Sequence, residues 1–192
     1  MEKAVYEAKN GRPGPVWIDI PLDIQAAEID EHNLPSFTQN HEHTDNDKDL
    51  VEMIEKTVKY LREAKRPVII EGQGIERGNG KAAFRELVEK LEIPVLFSWI
   101  AVELLEYDHK CNLGKPGMVA PRYSNFTMQE ADLILAIGTR LDPAMIGYDA
   151  DDFAPKARKI IVDIDSCELD KFAFDIDLKV QGDATEFIKG LL

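Results

Sequence analysis

Asp163 and Asp165 stand on either side of Ile164, just after the apolar run Ile160-Ile161-Val162. Two carboxylates at that spacing can hold Mg²⁺ or exchange protons. Side-chain alternation along a strand puts both on one side, where hydrogen bonding to a ribose or to a loop is the competing use. Four further apolar runs carry short tails of the same kind: Glu71-Gly72-Gln73-Gly74-Ile75, Ser98-Trp99, Gly138-Thr139-Arg140-Leu141-Asp142 and Gly182-Asp183. Small residues at such turns let a backbone approach a ligand closely, and a helix that starts there offers N–H groups to an anion. Arg140 is the cation among these tails suited to a phosphate.

Other chemistry is poorly supported. Gly72-x-Gly74 lacks the third glycine of a dinucleotide fingerprint, because Arg77 stands there. The acid that would hold a ribose is also missing after the second run, which ends in Phe97 and Ser98. His41-Glu42-His43 and His32 lie in a polar stretch without the spacing or the second cluster of a metal site, and read as solvated linker histidines. Cys111 and Cys167 match no ligand spacing and read as reduced structural thiols of a cytoplasmic protein. Trp17 reads as core or interface packing, whereas Trp99 is either packed or a stacking surface.

Lys and Arg number 23 against 36 Asp and Glu, a net charge of −13. Such a chain repels nucleic acid and anionic lipid, so any phosphate it binds must be held locally, by backbone N–H groups or a few placed arginines. No run reaches the length of a membrane span, and MEKAVYEAKN has no secretory h-region.

The elements that position the tails follow from periodicity. Apolar runs at 67–70, 94–97, 133–137, 160–162 and 178–180 alternate with helical stripes: Leu50 to Leu61, Phe84 to Leu91, 122–131, and a closing helix over 185–192. Continuous apolar strands separated by helices predict a doubly wound, Rossmann-like α/β domain over 47–192, its parallel sheet covered on both faces. Residues 2–9 predict a helix and Val16–Ile20 a strand ended by Pro21. The sheet is expected to hold about six strands; the helix at 2–9 and the strand at 16–20 cannot bury a core alone and read as an arm, the end of a preceding domain over 1–24. Residues 25–46 read as a linker.

These segments resemble the acetolactate synthase and pyruvate oxidase superfamily of thiamine-diphosphate-dependent enzymes. GRPGPVWIDIPLDIQ (11–25) is similar to the end of that family's N-terminal, pyrimidine-binding domain. RPVIIEGQGI (66–75), RYSNFTMQEADLILAIGTRLD (122–142), FAPKARKIIVDIDSCELDK (153–171) and VQGDATEFI (180–188) are similar to its central domain. The resemblance implies a parent enzyme that decarboxylates a 2-oxo acid and transfers the acyl carbanion, using thiamine diphosphate and Mg²⁺ as a homodimer or tetramer. Both cofactors would be held by N- and C-terminal domains outside this chain, leaving these 192 residues non-catalytic. It also implies, by position, an FAD or ADP-like nucleotide site at Gly72, Gly74, Ile75, Ser98, Trp99, Gly138, Thr139, Arg140, Asp163, Ile164, Asp165, Gly182 and Asp183. The chain departs from the family's pattern at Val119-Ala120, at Ser98-Trp99-Ile100-Ala101 and at Asp142-Pro143-Ala144, where an arginine is lost. A binding module or a purely structural, dimer-building module is the alternative.

Overall fold

The structure is a computed structural model that describes residues 1–30, 32–38 and 47–192, without the side chains of residues 47 and 150. His41, Glu42 and His43 lie outside the described residues. The chain divides into two compact units, Met1–Asp45 and Asn46–Leu192.

In the larger unit, five strands form one parallel sheet: β1 (Pro67–Glu71), β2 (Val95–Phe97), β3 (Leu133–Ile137), β4 (Arg158–Asp163) and β5 (Leu178–Gln181). Their order is β2-β1-β3-β4-β5. The helices are α3 (Asp47–Glu63), α4 (Gln73–Arg77), α5 (Lys81–Leu91), α6 (Arg122–Gln129), α7 (Pro143–Ile146), α8 (Ser166–Asp170) and α9 (Ala184–Leu191).

The near-continuous apolar strands have a plain cause: both faces are covered. Ile69, Val95, Phe97, Leu135, Ile137, Ile160, Val162 and Val180 pack with Phe84, Leu87 and Val88 of α5 and with Phe187 and Ile188 of α9. Leu50, Met53 and Ile54 of α3 complete that face. Val68, Ile70, Leu96, Ile134, Ala136 and Ile161 pack on the other face with Met128, Met145 and Leu169 of α6, α7 and α8. Burying one side chain of this size is worth about 1.5–3 kcal/mol. An exposed ion pair such as Lys56–Glu52 contributes about 0–1 kcal/mol. The two apolar faces therefore hold the sheet.

The winding sets the functional edge. The connection from β1 to β2 passes over the α5 face, and those leading to β3, β4 and β5 pass over the opposite face, as a single crossover hand requires. The direction of winding thus reverses between β1 and β3. In open parallel sheets that reversal marks the ligand crevice at the carboxyl ends of the strands.

The smaller unit holds α1 (Glu2–Lys9) and α2 (Leu22–Gln25). Phe37 packs on α1, its ring 5.2 Å from that of Tyr6 and its N–H donating to Glu2 Oε2. The structure corrects the sequence reading here. The sheet has five strands rather than about six, and residues 16–20 are extended but join no ladder. Trp17 is 90% exposed, which removes the core half of its reading, and Val16, Ile18 and Ile20 are also exposed. A strand forms only when a partner accepts its backbone bonds, and among the described residues this segment has none.

Hydrogen exchange should reflect this difference. Amides of residues 16–20 are expected to exchange as fast as free chain, while those of β1 and β3 exchange only on global opening. Slow exchange of 16–20 in a dilute sample would show that the segment is paired in solution.

Candidate functional site

The tails begin where each strand ends, and their first amides extend the ladder. Ser98 N–H donates to Glu71 O (3.0 Å), Gly72 N–H to Ile137 O (3.0 Å), Gly138 N–H to Val162 O (2.9 Å) and Gly182 N–H to Asp163 O (3.0 Å). All five tails therefore stand side by side along the carboxyl edge, in sheet order.

The tails of β1 and β3 touch directly. Gly74 N–H donates to Gly138 O at 2.9 Å. A Cβ on Gly72 would lie 2.3 Å from Gly138 O, and one on Gly74 would lie 2.7 Å from Gly138 Cα. Gly138 itself adopts φ +58°, in the left-handed region that favours glycine. These glycines are required by backbone packing against backbone, and the Gly74 amide is already used. The turn after β1 is thus no open phosphate cradle. Ile75 is fully buried, and Thr139 is buried against the Gly72 backbone.

Most acids of the tails serve as caps. Asp165 Oδ1 accepts from Cys167 N–H (2.9 Å) at the start of α8. Asp183 Oδ1 accepts from Thr185 N–H (2.8 Å) and Glu186 N–H (3.1 Å) at the start of α9. Asp163 is buried, and its Oδ1 accepts from Asp165 N–H (3.0 Å). These bonds account for Asp163 and Asp165 standing two apart without invoking a metal. Among the described residues no three His, Cys, Asp or Glu side chains gather as metal ligands. The tails thus do not fit the metal-bound diphosphate of thiamine diphosphate.

Arg140 is held by a residue the sequence reading passed over. Its Nη2 lies 2.8 Å from Oε1 of Glu168, a buried carboxylate on α8, while the Arg140 side chain stays 66% exposed. Lys171 Nζ approaches the other oxygen of Glu168 (2.5 Å) and also donates to Arg140 O (2.6 Å). Arg140 and Lys171 therefore share one anchor, with the guanidinium edge facing water. The i,i+3 spacing of Glu168 and Lys171 was the available signal. Trp99 and Ile164 are partly exposed on the same edge, at 48% and 38%.

Glu71, which opens the β1 tail, was not among the candidate site residues. It ends β1 in register with Phe97 and Ile137, on the face of Ile69, and has no exposed surface. Neither carboxyl oxygen has a hydrogen-bond partner, and the same holds for the buried Ser98 Oγ. Burial, aided by the nearby charge of Glu76, pushes the Glu71 pKa up to about 9, so the group is a neutral acid at pH 7. A lone acid closing an otherwise apolar run was its only mark in the sequence.

Comparison with known proteins places this geometry. The family model described as the thiamine pyrophosphate enzyme central domain matches residues 54–191. The acetolactate synthase isozyme 1 large subunit of Escherichia coli (strain K12) is 35% identical over 192 residues, covering 100% of this chain and 33% of the relative. The acetolactate synthase large subunits of Corynebacterium glutamicum and of Lactococcus lactis are 34% and 35% identical, again along 100% of this chain, and over 30% and 33% of their own lengths. The chain belongs to the thiamine pyrophosphate enzyme central-domain family, and it spans about a third of the length of the curated relatives it matches.

The Glu71 environment makes a stability prediction. The native carboxyl keeps its proton up to about pH 9, whereas an unfolded glutamate loses its own near 4.5. The stability of the neutral acid is fully present below pH 4.5 and is lost as pH rises toward 9. Glu71→Gln, which cannot ionise, should gain on wild type by up to about 1.4 kcal/mol per pH unit in that window. Urea unfolding at pH 5, 7 and 8.5 measures this; a constant difference would mean that the native carboxyl is ionised.

Proposed function

We propose that this chain works as the central domain of a thiamine-diphosphate-dependent enzyme of the acetolactate synthase kind, which decarboxylates a 2-oxo acid and transfers the acyl carbanion to an acceptor. The observation that carries this reading is the match of residues 54–191 to the central-domain model, joined to relatives aligned along the whole chain. Thiamine diphosphate and Mg²⁺ then belong to the parts of the enzyme represented by the other two thirds of those relatives. The tails described above supply neither the metal ligands nor the catalytic groups.

Within this proposal residues 1–24 close the preceding pyrimidine-binding domain, 25–46 link it to the central domain, and 47–192 are the central domain. The exposed apolar side chains of Val16, Trp17, Ile18 and Ile20 support the first assignment, since they suit a sheet supplied by that domain. A cytoplasmic homodimer or tetramer is part of the same proposal.

The carboxyl edge of the sheet is proposed to bind an adenine nucleotide, ADP or the ADP half of FAD. The exposed guanidinium of Arg140 and the Lys171 ammonium beside it support this reading, as two cations fixed on a single buried carboxylate in an otherwise acidic chain. Closure of the β1 turn by Gly138 directs the phosphates to that pair.

Two titrations test these proposals. Thiamine diphosphate with Mg²⁺ added to the chain should give no binding heat, and stoichiometric binding would overturn the division of labour. ADP should bind wild type weakly, and Arg140→Ala should lower its affinity at least tenfold, the equivalent of about 1.4 kcal/mol. Equal ADP binding by the variant would remove Arg140 from the site.

A further inference from the structure

We propose that His109 is a proton-sensitive latch on the segment that closes the β2 edge of the sheet, and that a second proton on its ring frees that segment. The proposal stands apart from the nucleotide reading and uses none of its residues.

β2 ends the sheet on its side, yet its outer edge is not open. Residues 111–114 run along it in parallel, with Val95 N–H donating to Cys111 O (2.8 Å), Leu113 N–H to Val95 O (2.9 Å) and Phe97 N–H to Gly114 O (3.0 Å). An unpaired edge strand is a template for another chain, so this segment shields β2. Beyond it, Ser124 Oγ donates to Leu113 O at 2.6 Å, which ties the same residues to the start of α6.

His109 sets where the segment begins. Its Nε2 lies 2.8 Å from Oε1 of Glu89 on α5, and its Nδ1 accepts from Cys111 N–H at 3.1 Å. A backbone amide can only donate, so Nδ1 holds a lone pair and the ring proton sits on Nε2, facing Glu89. This geometry requires the neutral ring. The His109 side chain is only 13% exposed and Cys111 is buried, so water does not readily replace either partner.

Histidine changes charge between about pH 5 and 8. A second proton turns Nδ1 into a donor that faces the Cys111 donor, and one contact must give way. Glu89 accepts from Nε2 in both states and holds a charged ring more strongly. The ring therefore keeps its anchor on α5, and the Cys111 amide is displaced. The other charges nearby do not reverse this. Arg85 of α5 pairs with Glu106, Glu92 at the end of α5 pairs with Lys110, and Lys90 donates to Leu192 O. Glu86 and Asp108 are exposed and add only screened negative charge. Burial pushes the Cys111 thiol up, so it stays uncharged.

Amide exchange and the ring's own nitrogen chemical shifts test the proposal on this chain. At pH 7.5 the His109 signals should report the tautomer with its proton on Nε2. Between pH 7.5 and 5.5 the protection of the Val95, Leu113 and Phe97 amides, corrected for the pH dependence of free-chain exchange, should fall by about tenfold or more. Ile69 on β1 and Leu135 on β3 should keep theirs. His109→Asn carries an oxygen that can accept from Cys111 N–H in place of Nδ1 and has nothing to titrate, so its protection should stay level over the same range. A proton on Nδ1 at pH 7.5, level protection in wild type, or an equal fall in His109→Asn would overturn the proposal. The tautomer and the wild-type profile need no variant, and they decide the matter where His109→Asn folds poorly.

Discussion

The contact of Gly72 and Gly74 with Gly138 is the constraint on which the carboxyl edge of the sheet depends. No residue with a Cβ fits at 72 or 74 without moving the β3 backbone, since the added carbon would stand under 3 Å from it. The contact brings the tails of β1 and β3 together at the point where the winding reverses. It also fixes α4, whose far end is tied separately, with Thr185 Oγ1 donating to Gly78 O at 2.9 Å. With α4 held at both ends, the turn after β1 cannot open around an anion. Whatever binds along this edge must use the tails on either side of that lock.

The charge distribution follows the same division. A chain with net charge −13 has to hold a ligand anion locally. Toward β4 it buries Glu168 and gathers Arg140 and Lys171 around it, so that one desolvated carboxylate orients two cations. Toward β2 it buries a neutral acid and a hydroxyl instead.

How much of this was legible in the sequence depends on the range of the interactions involved. The five strands and the main helices were readable because burial on two faces imposes long apolar runs and 3.6-residue stripes on the chain itself. The short helices α4, α7 and α8 were not, since four or five residues carry too little periodicity. Val16–Ile20 has the composition of a strand but not its partner, and pairing is a property of two segments. The tails were located correctly as the ends of strands. The roles of Gly72, Gly74, Asp165 and Asp183 were less visible, because the same residue types suit a ligand site, a close backbone contact and a helix cap. Glu168, Lys171 and Glu71 escaped because only burial distinguishes them from the many other charged residues of this chain.

The opposite edge of the sheet shows what this fold does with a buried polar group when structure alone is at stake. Lys159, near the start of β4, is as buried as any charged side chain can usually be, yet its Nζ donates to Ala154 O and Ala157 O, each at 3.2 Å. The rings of Phe153 and Phe174 stand 5.8 and 5.7 Å away and favour the cation further. Asp132, just before β3, accepts from the N–H groups of Lys65 and Arg66, both at 2.8 Å. Partners for buried or half-buried charges are therefore within the reach of this sequence at the amino ends of the strands. Glu71 stands at the carboxyl end of β1 without one, although an apolar residue there would match Phe97 and Ile137 on the neighbouring strands. Among the described residues the buried side-chain oxygens left unpaired are those of Glu71 and Ser98, at the adjoining carboxyl ends of β1 and β2, where backbone N–H groups are already committed to the ladder.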